Sequence, residues 1–454
     1  TLGPGYISFT CFDFSRLKKM AVYKQRLDQF EECLKQSKID LKQFQTLCFA
    51  GIPDKPSLRS LAWKILLYYL PRNHDDWDDV LRKQRAIYKN YVEEIVAHPA
   101  DCKEAKEHVD HPLNMNPDSQ WITYFKDNEV LLQIDRDVRR LCPDISFFQH
   151  PTKYPIQTII DVSSSYQTLT KRVETCVLDN SVIGTSKGGL SNITIKKYSN
   201  EEYVVLPQGQ EAHWQVVERI LFIYAKLNPG ISYVQGMNEI IGPIYYTFAS
   251  DADEKWKAHA EADAFFCFTA IMAEIRDNFI KTLDDSELGI GQDMNKLYCL
   301  LQVKDEEVYD DLSKKGMKPQ FFAFRWITLL LSQEFYLPDV IRLWDSLFAD
   351  QKRFDFLLYV CLAMLVLIRD QILEGDFAKT MKIIQNFPHD QYDMATIIRK
   401  AVELNSPTAL GVPVEKPPAP ASGSVTGKSI SARGFSLKQR LVNFARNDNS
   451  SNSS

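Results

Sequence analysis

Gln133-Ile134-Asp135-Arg136-Asp137-Val138-Arg139-Arg140-Leu141-Cys142-Pro143 is the first of two stretches on which the reading of this chain turns. Val130, Leu131, Ile134 and Val138 recur at helical spacing, so the segment predicts a helix with one apolar face that stops before Pro143. In that register Arg140 lies near the C-terminal end, with Asp137 one turn before it and Arg136 on the same side. Taken alone, this is a basic helix terminus, where cations oppose the negative end of the dipole and Asp137 is a surface partner. An arginine held at a helix end is also what phosphoryl transfer takes from an outside protein. Such an arginine raises GTP hydrolysis by about 10³–10⁵-fold, and its planar fork matches phosphate as a lysine does not.

The second stretch is Tyr233-Val234-Gln235-Gly236-Met237-Asn238. It follows a helix marked by Trp214, Val217, Leu221, Tyr224 and Leu227 and ended by Asn228-Pro229-Gly230. Gln235 begins the next helix. Alone, it reads as a helix-start residue satisfying backbone N–H groups. Its amide also carries an acceptor and a donor on one group, which suits it to hold a water and a phosphate oxygen together.

Working outward, helical periodicity covers most of the chain. Leu27, Phe30 and Leu34 mark one helix, and Leu61, Ile65 and Leu66 another, with Gly51-Ile52-Pro53 between them and Pro56-Ser57 opening the second. Trp77 to Val96 is amphipathic and charged. Further helices are predicted over 237–249, 261–280, 293–301, 305–315, 320–334, 338–349 and 354–373. Strand signals are almost confined to Tyr203–Leu206. Residues 151–210 form an irregular insertion, in which Ser181–Asn200 is rich in Ser, Gly, Asn and Lys and reads as mobile. From Ser406 the composition changes to Pro, Ser, Gly and Asn, predicting a disordered tail. The fold class is all-α.

A formal net charge of −5 gives no push toward nucleic acid. The nine cysteines are odd in number, scattered and free of any CxxC pair, so they read as buried thiols in a reducing compartment. No signal-peptide pattern opens the chain, and the apolar run Phe356–Ile368 falls short of the ~20 residues a bilayer-spanning helix needs. These features point to a soluble, cytoplasmic protein.

His98, Cys102, His108 and His111 match no zinc spacing, and Asp75-Asp76-Trp77-Asp78-Asp79 reads as a solvated helix start, so no metal site is expected. Gly427-Lys428-Ser429 lacks the first glycine and the preceding strand of a phosphate-binding loop. In the tail, Leu437, Leu441 and Phe444 with Lys438, Arg440 and Arg446 fit a short amphipathic helix over 436–446, which would stay unbound or fold onto the chain itself, or else make weak peripheral contact with an anionic membrane or a partner.

Read together, the two stretches and their flanks resemble the TBC-domain family, the GTPase-activating proteins for Rab GTPases. Gly51-Ile52-Pro53 with Arg59-x-x-x-Trp63-Lys64 looks like its opening motif, and Ile134-x-x-Asp137-x-x-Arg140 like its arginine finger. Tyr233-x-Gln235 looks like its glutamine finger, while Glu261-x-Asp263, Arg325-Trp326 and Arg342-Leu343-Trp344-Asp345 fit later segments. The resemblance covers about 48–375, after a helical lead-in at 1–47 and before a helical extension at 376–405 and the tail at 406–454.

It implies a V-shaped, all-helical domain whose partner is a GTP-bound Rab that brings GTP and Mg²⁺; the chain itself would hold no cofactor. Arg140 would neutralise phosphoryl charge and Gln235 would position the attacking water. Asp137 would hold Arg140, Tyr233 would fix the Gln235 loop, and Arg59 and Trp63 would support the fold. The alternative is a non-catalytic Rab-binding effector or scaffold of the same fold. Leu141 stands where the family commonly has Thr, and the interval between the fingers is longer than usual.

Overall fold

The computed structural model describes residues 10–96, 120–157, 169–173, 206–207, 209–280 and 289–406. The tail, its 436–446 segment, Ser181–Asn200 and the His98–His111 cluster lie outside them, as do Tyr203, Val204 and Val205; Leu206 is not in a strand. Among the described residues the only β pairing is two isolated bridges, Lys38–Asn73 and Pro151–Ala212. The α-helices longer than four residues among the described residues are α1 (Thr10–Lys35), α2 (Leu41–Phe49), α3 (Leu58–Leu66), α4 (Trp77–Ile95), α5 (Gln120–Val138), α6 (His213–Leu227), α7 (Met237–Ala249) and α8 (Ala260–Ile275). They continue as α9 (Ile290–Lys304), α10 (Glu306–Lys314), α11 (Ala323–Thr328), α12 (Leu337–Ala349), α13 (Asp355–Leu367), α14 (Arg369–Glu374), α15 (Phe377–Gln385) and α16 (Met394–Asn405).

Local chemistry sets several of these boundaries. The Asp40 carboxylate caps α2, accepting from the backbone N–H of Lys42 at 3.0 Å and of Gln43 at 3.3 Å. Pro338 sits in the first turn of α12, where a missing N–H costs nothing. α6 is buried on nearly every side from His213 to Ala225, so it can only be an interior helix. α5 and α7 both pack on α6 and touch each other, and α8 packs on α7. This trio places the end of α5 beside the start of α7.

Three buried ionic knots join parts distant in sequence. Arg219 on α6 is shared by Glu211 and by Glu261, at 2.6 Å from the latter. Asp263 on α8 meets Lys64 at 3.0 Å, Arg85 at 2.9 Å and the Tyr69 hydroxyl at 2.8 Å. Asp345 on α12 accepts from Arg59 at 3.2 Å, the Trp63 indole at 2.9 Å and the Ile52 N–H at 2.9 Å. Removing one member of such a knot strands an uncompensated charge, at a cost of about 3–5 kcal/mol.

The structure corrects three helix boundaries. The 320–334 segment is not one helix: a 3₁₀ turn at Pro319–Phe321 and α11 give way after Thr328 to a tight turn in which Leu330 and Leu331 are left-handed. The 354–373 segment breaks at Ile368 into α13 and α14, and the end of 261–280 tightens into a 3₁₀ turn from Arg276 to Phe279. Helical periodicity carried these predictions, and it does not report where a helix breaks, tightens into a 3₁₀ turn or, at Leu330 and Leu331, changes backbone handedness. The Phe356–Ile368 run is core, with most side chains of α13 buried against α16 and α9. No helix among the described residues is long and apolar enough to cross a membrane.

Candidate functional site

The two neighbouring arginines at the end of α5 part company. Arg139 turns inward: its Nε lies 2.9 Å from both Asp135 oxygens, and its guanidinium sits 4.5 Å from the centre of the Trp214 ring. Arg140 turns outward, with 66% of its side chain exposed. Its Nη2 donates to Asp137 Oδ1 at 2.8 Å and its Nε to the Arg136 carbonyl at 3.0 Å. Asp137 is itself only 6% exposed, so an anchored acid grips a cation whose remaining N–H groups face solvent. Helix α5 ends at Val138, so Arg140 stands in the turn just beyond it rather than within its last turn.

The other oxygen of Asp137 belongs to the second stretch. The buried Tyr233 hydroxyl donates to Asp137 Oδ2 at 2.8 Å. Burial, reinforced by the Asp137 charge, pushes the phenol well above its ordinary range, so it stays a neutral donor. Asn238 donates to Glu239 Oε1 at 2.9 Å and reaches the Asp137 carbonyl at 3.4 Å. One carboxylate therefore ties the arginine turn to the glutamine loop.

Gln235 lies in the turn before α7, not in its first turn, and its side chain is exposed. Gly236 caps the helix with φ 102°, a conformation an L side chain resists. A Cβ there would also come within 2.6 Å of Leu329 Cδ2. Glycine is thus required both by handedness and by contact.

Arg140 and Gln235 together line two adjoining hollows. One, of about 370 Å³, is completed by Asn238, Glu239, Leu329 and Gln333; the other, of about 540 Å³, by Glu129, Gln133 and Arg136. Burial raises the Glu239 carboxyl above the usual range, with the Gln333 and Asn238 side chains pulling the other way. Close by, burial pushes the Cys142 thiol up to about 12, helped by Glu239 and Asp144, so it is no thiolate at neutral pH. A larger hollow of about 740 Å³ lies elsewhere, between α4, residues 147–157 and the start of α8, and contains none of the six residues singled out in the sequence.

Residues 203–373 match the Rab-GTPase-TBC domain. The chain is 56% identical over 396 residues to TBC1 domain family member 13 of Mus musculus, an alignment covering 85% of this chain and 98% of that protein. The same figures hold for its Homo sapiens counterpart. The chain belongs to the TBC Rab-GAP family.

A TBC domain-containing protein of Schizosaccharomyces pombe is 37% identical over 452 residues, covering 84% of this chain and 73% of that one. Among solved structures, the Ypt/Rab-GAP domain of Gyp1p superposes with a TM-score of 0.59 at 22% identity, covering 84% of this chain and 97% of that domain, and shares the TBC fold. The matched TBC region takes in Tyr233–Asn238, whereas Arg140 precedes it.

Of the TBC motif residues, Arg140, Asp137, Gln235 and Tyr233 come together. Arg59 and Trp63 do not join them. Both converge instead on buried Asp345, and Arg59 also donates to the Ile52 carbonyl at 2.7 Å. Leu141, the departure from the family pattern, is buried and seated on Gly242 of α7, where a Cβ would meet its Cδ1 at 2.9 Å. It packs the end of α5 onto α7 and leaves the Arg140–Asp137 contact intact.

Sequence reasoning missed Glu239, Leu329 and Gln333. Glu239 directly follows the quoted motif, so proximity was its only signal. The other two arrive from a turn that reads as helix.

Proposed function

We propose that this TBC chain is a GTPase activator for Rab proteins, completing the partner's active site from outside. The observation that carries the reading is the shared hollow: one exposed guanidinium and one exposed amide, joined through the Asp137–Tyr233 contact, face the same space. Arg140 supplies charge where the transferring phosphoryl group accumulates it, and Gln235 holds the attacking water. Asp137 limits the rotamers of Arg140, so less freedom is lost when the partner docks. GTP and Mg²⁺ arrive on the Rab, and the chain binds no nucleotide of its own. Such a partner places the protein in vesicle trafficking, at endomembrane surfaces from the cytoplasmic side, with the tail adding weak membrane contact.

The test is single-turnover GTP hydrolysis by a panel of GTP-loaded Rab proteins. Wild type is expected to accelerate at least one. Arg140→Ala should reduce that acceleration by about 10³-fold or more, Arg140→Lys by nearly as much, and Gln235→Ala by about 10²-fold. If wild type accelerates no Rab, or both alanine variants match it, the proposal fails. Tight binding without acceleration would make the chain an effector.

A further inference from the structure

Leu330 (φ 51°) and Leu331 (φ 61°) stand side by side in the left-handed conformation that a Cβ disfavours. No glycine relieves this turn, so its surroundings must enforce it. The Trp344 indole donates to the Leu330 carbonyl at 3.0 Å, and the Leu331 N–H donates to the Trp326 carbonyl at 2.9 Å. Arg325 forks onto Glu334 at 2.6 and 2.9 Å, closing the turn on its far side. Trp326 and Trp344 are fully buried, as are both leucines. Arg325-Trp326 and Arg342-Leu343-Trp344-Asp345 are two of the motif segments that lie outside the fingers.

The flanks of this turn meet the glutamine loop. Leu329, on one side, lies against Gly236 so closely that a Cβ there would be 2.6 Å from its Cδ2. Gln333, on the other, lines the same hollow as Gln235 and Glu239. Gly236 is the joint between Gln235 and α7, and its φ fixes the direction from which the Gln235 amide leaves the helix. A side chain seated on the one residue with no Cβ of its own blocks rotation at that joint.

We propose that the left-handed turn 329–334 is a buttress that fixes the Gln235 loop, with Leu329 and Gln333 as positioning residues for the reaction proposed above. Its catalytic consequence rests on that reading of Gln235; its effect on the loop does not. Trp326, Trp344 and Arg325 then serve the chemistry at one remove, by holding the turn that holds the loop. The left-handed leucines follow from the same need, because a continued α11 helix would carry Leu329 and Gln333 in other directions.

Two measurements on the full chain test this: hydrogen exchange of residues 232–239 in the free protein, and the saturation curve of single-turnover hydrolysis on a Rab that wild type accelerates. Leu329→Ala is expected to speed exchange in 232–239 by about tenfold while α6 keeps its protection. It should lower the maximal rate by about tenfold, with the half-saturating concentration within about twofold of wild type. Gln333→Ala, which leaves the buried volume unchanged, should lower the maximal rate by about threefold in the same pattern. Leu329→Met should restore both readouts to near wild type.

Unchanged exchange in Leu329→Ala overturns the proposal. So does faster exchange with an unchanged maximal rate, or protection lost throughout α6, which would mark general unfolding. If wild type accelerates no Rab, the reading of Gln235 falls, and exchange alone then decides whether the turn holds the loop.

Discussion

Asp137 has two oxygens and two obligations, one to Arg140 and one to Tyr233. Charge-assisted hydrogen bonds of this kind contribute about 1.5–3 kcal/mol each, so the pair decides how well the two finger segments stay in register. Tyr233→Phe removes one O–H and nothing else. It is expected to lower the maximal rate of the GTP hydrolysis that the chain stimulates on a Rab by about tenfold, equivalent to about 1.4 kcal/mol, and to lower the melting temperature by a few degrees. Asp137→Asn keeps the shape but loses the charge, and should free Arg140 to sample solvent; its maximal rate should fall by more than that of Tyr233→Phe. Saturation kinetics and thermal melts on both variants check the ranking, and equal rates in all three proteins would show that Arg140 needs no tether. These residues were legible as neighbours because they stand in ordered motifs that resemble one family, and the structure brings Arg140, Asp137, Tyr233 and Gln235 together. Leu329 was not, since nothing in a leucine announces that its neighbour in space is a glycine from another helix.

At the scale of elements, the turn between Tyr233 and Met237 depends on Gly236 twice over, through its φ of 102° and through the seated Leu329. Gly236→Ala should therefore destabilise by more than the ~1 kcal/mol that left-handed backbone alone demands, because Leu329 must also move. Gly230 offers a control, having nothing within 4 Å of an added Cβ and no positive φ; Gly230→Ala should be close to neutral. Urea titrations of the two variants separate the contributions, and a Gly236→Ala protein as stable as wild type would show that the loop adapts freely.

Helix existence was legible along most of the chain, because amphipathic periods such as Val130–Val138 and Trp214–Leu227 are long and regular. The turn after α11 was not. Apolar Leu329, Leu330 and Leu331 continue a helical pattern, and the instruction to stop comes from Trp344 through its tertiary hydrogen bond to the Leu330 carbonyl, while the Leu331 N–H closes locally on the Trp326 carbonyl. Local sequence carries no trace of that.

The whole molecule is tied by buried acids whose partners come from far along the chain, and they respond to pH with opposite signs. Asp345 is raised above its ordinary range because burial outweighs Arg59. For Asp263 burial pushes up as well, but Lys64 and Arg85 together outweigh it and leave the carboxyl below its ordinary 3.8. A depressed folded-state pKa means that the unfolded chain binds the proton first. The stability from Asp263 is thus fully present above about pH 4, the unfolded aspartate range, and drains away as pH falls through the lowered folded value. Asp263→Asn removes that dependence and strands Lys64 and Arg85 together. It is expected to lose about 3–5 kcal/mol at neutral pH, with a stability curve flatter than wild type below pH 4. Urea unfolding from pH 3 to 7 reads both effects at once. Parallel curves for wild type and variant would mean that Asp263 is not what joins α8 to α3 and α4 in acid.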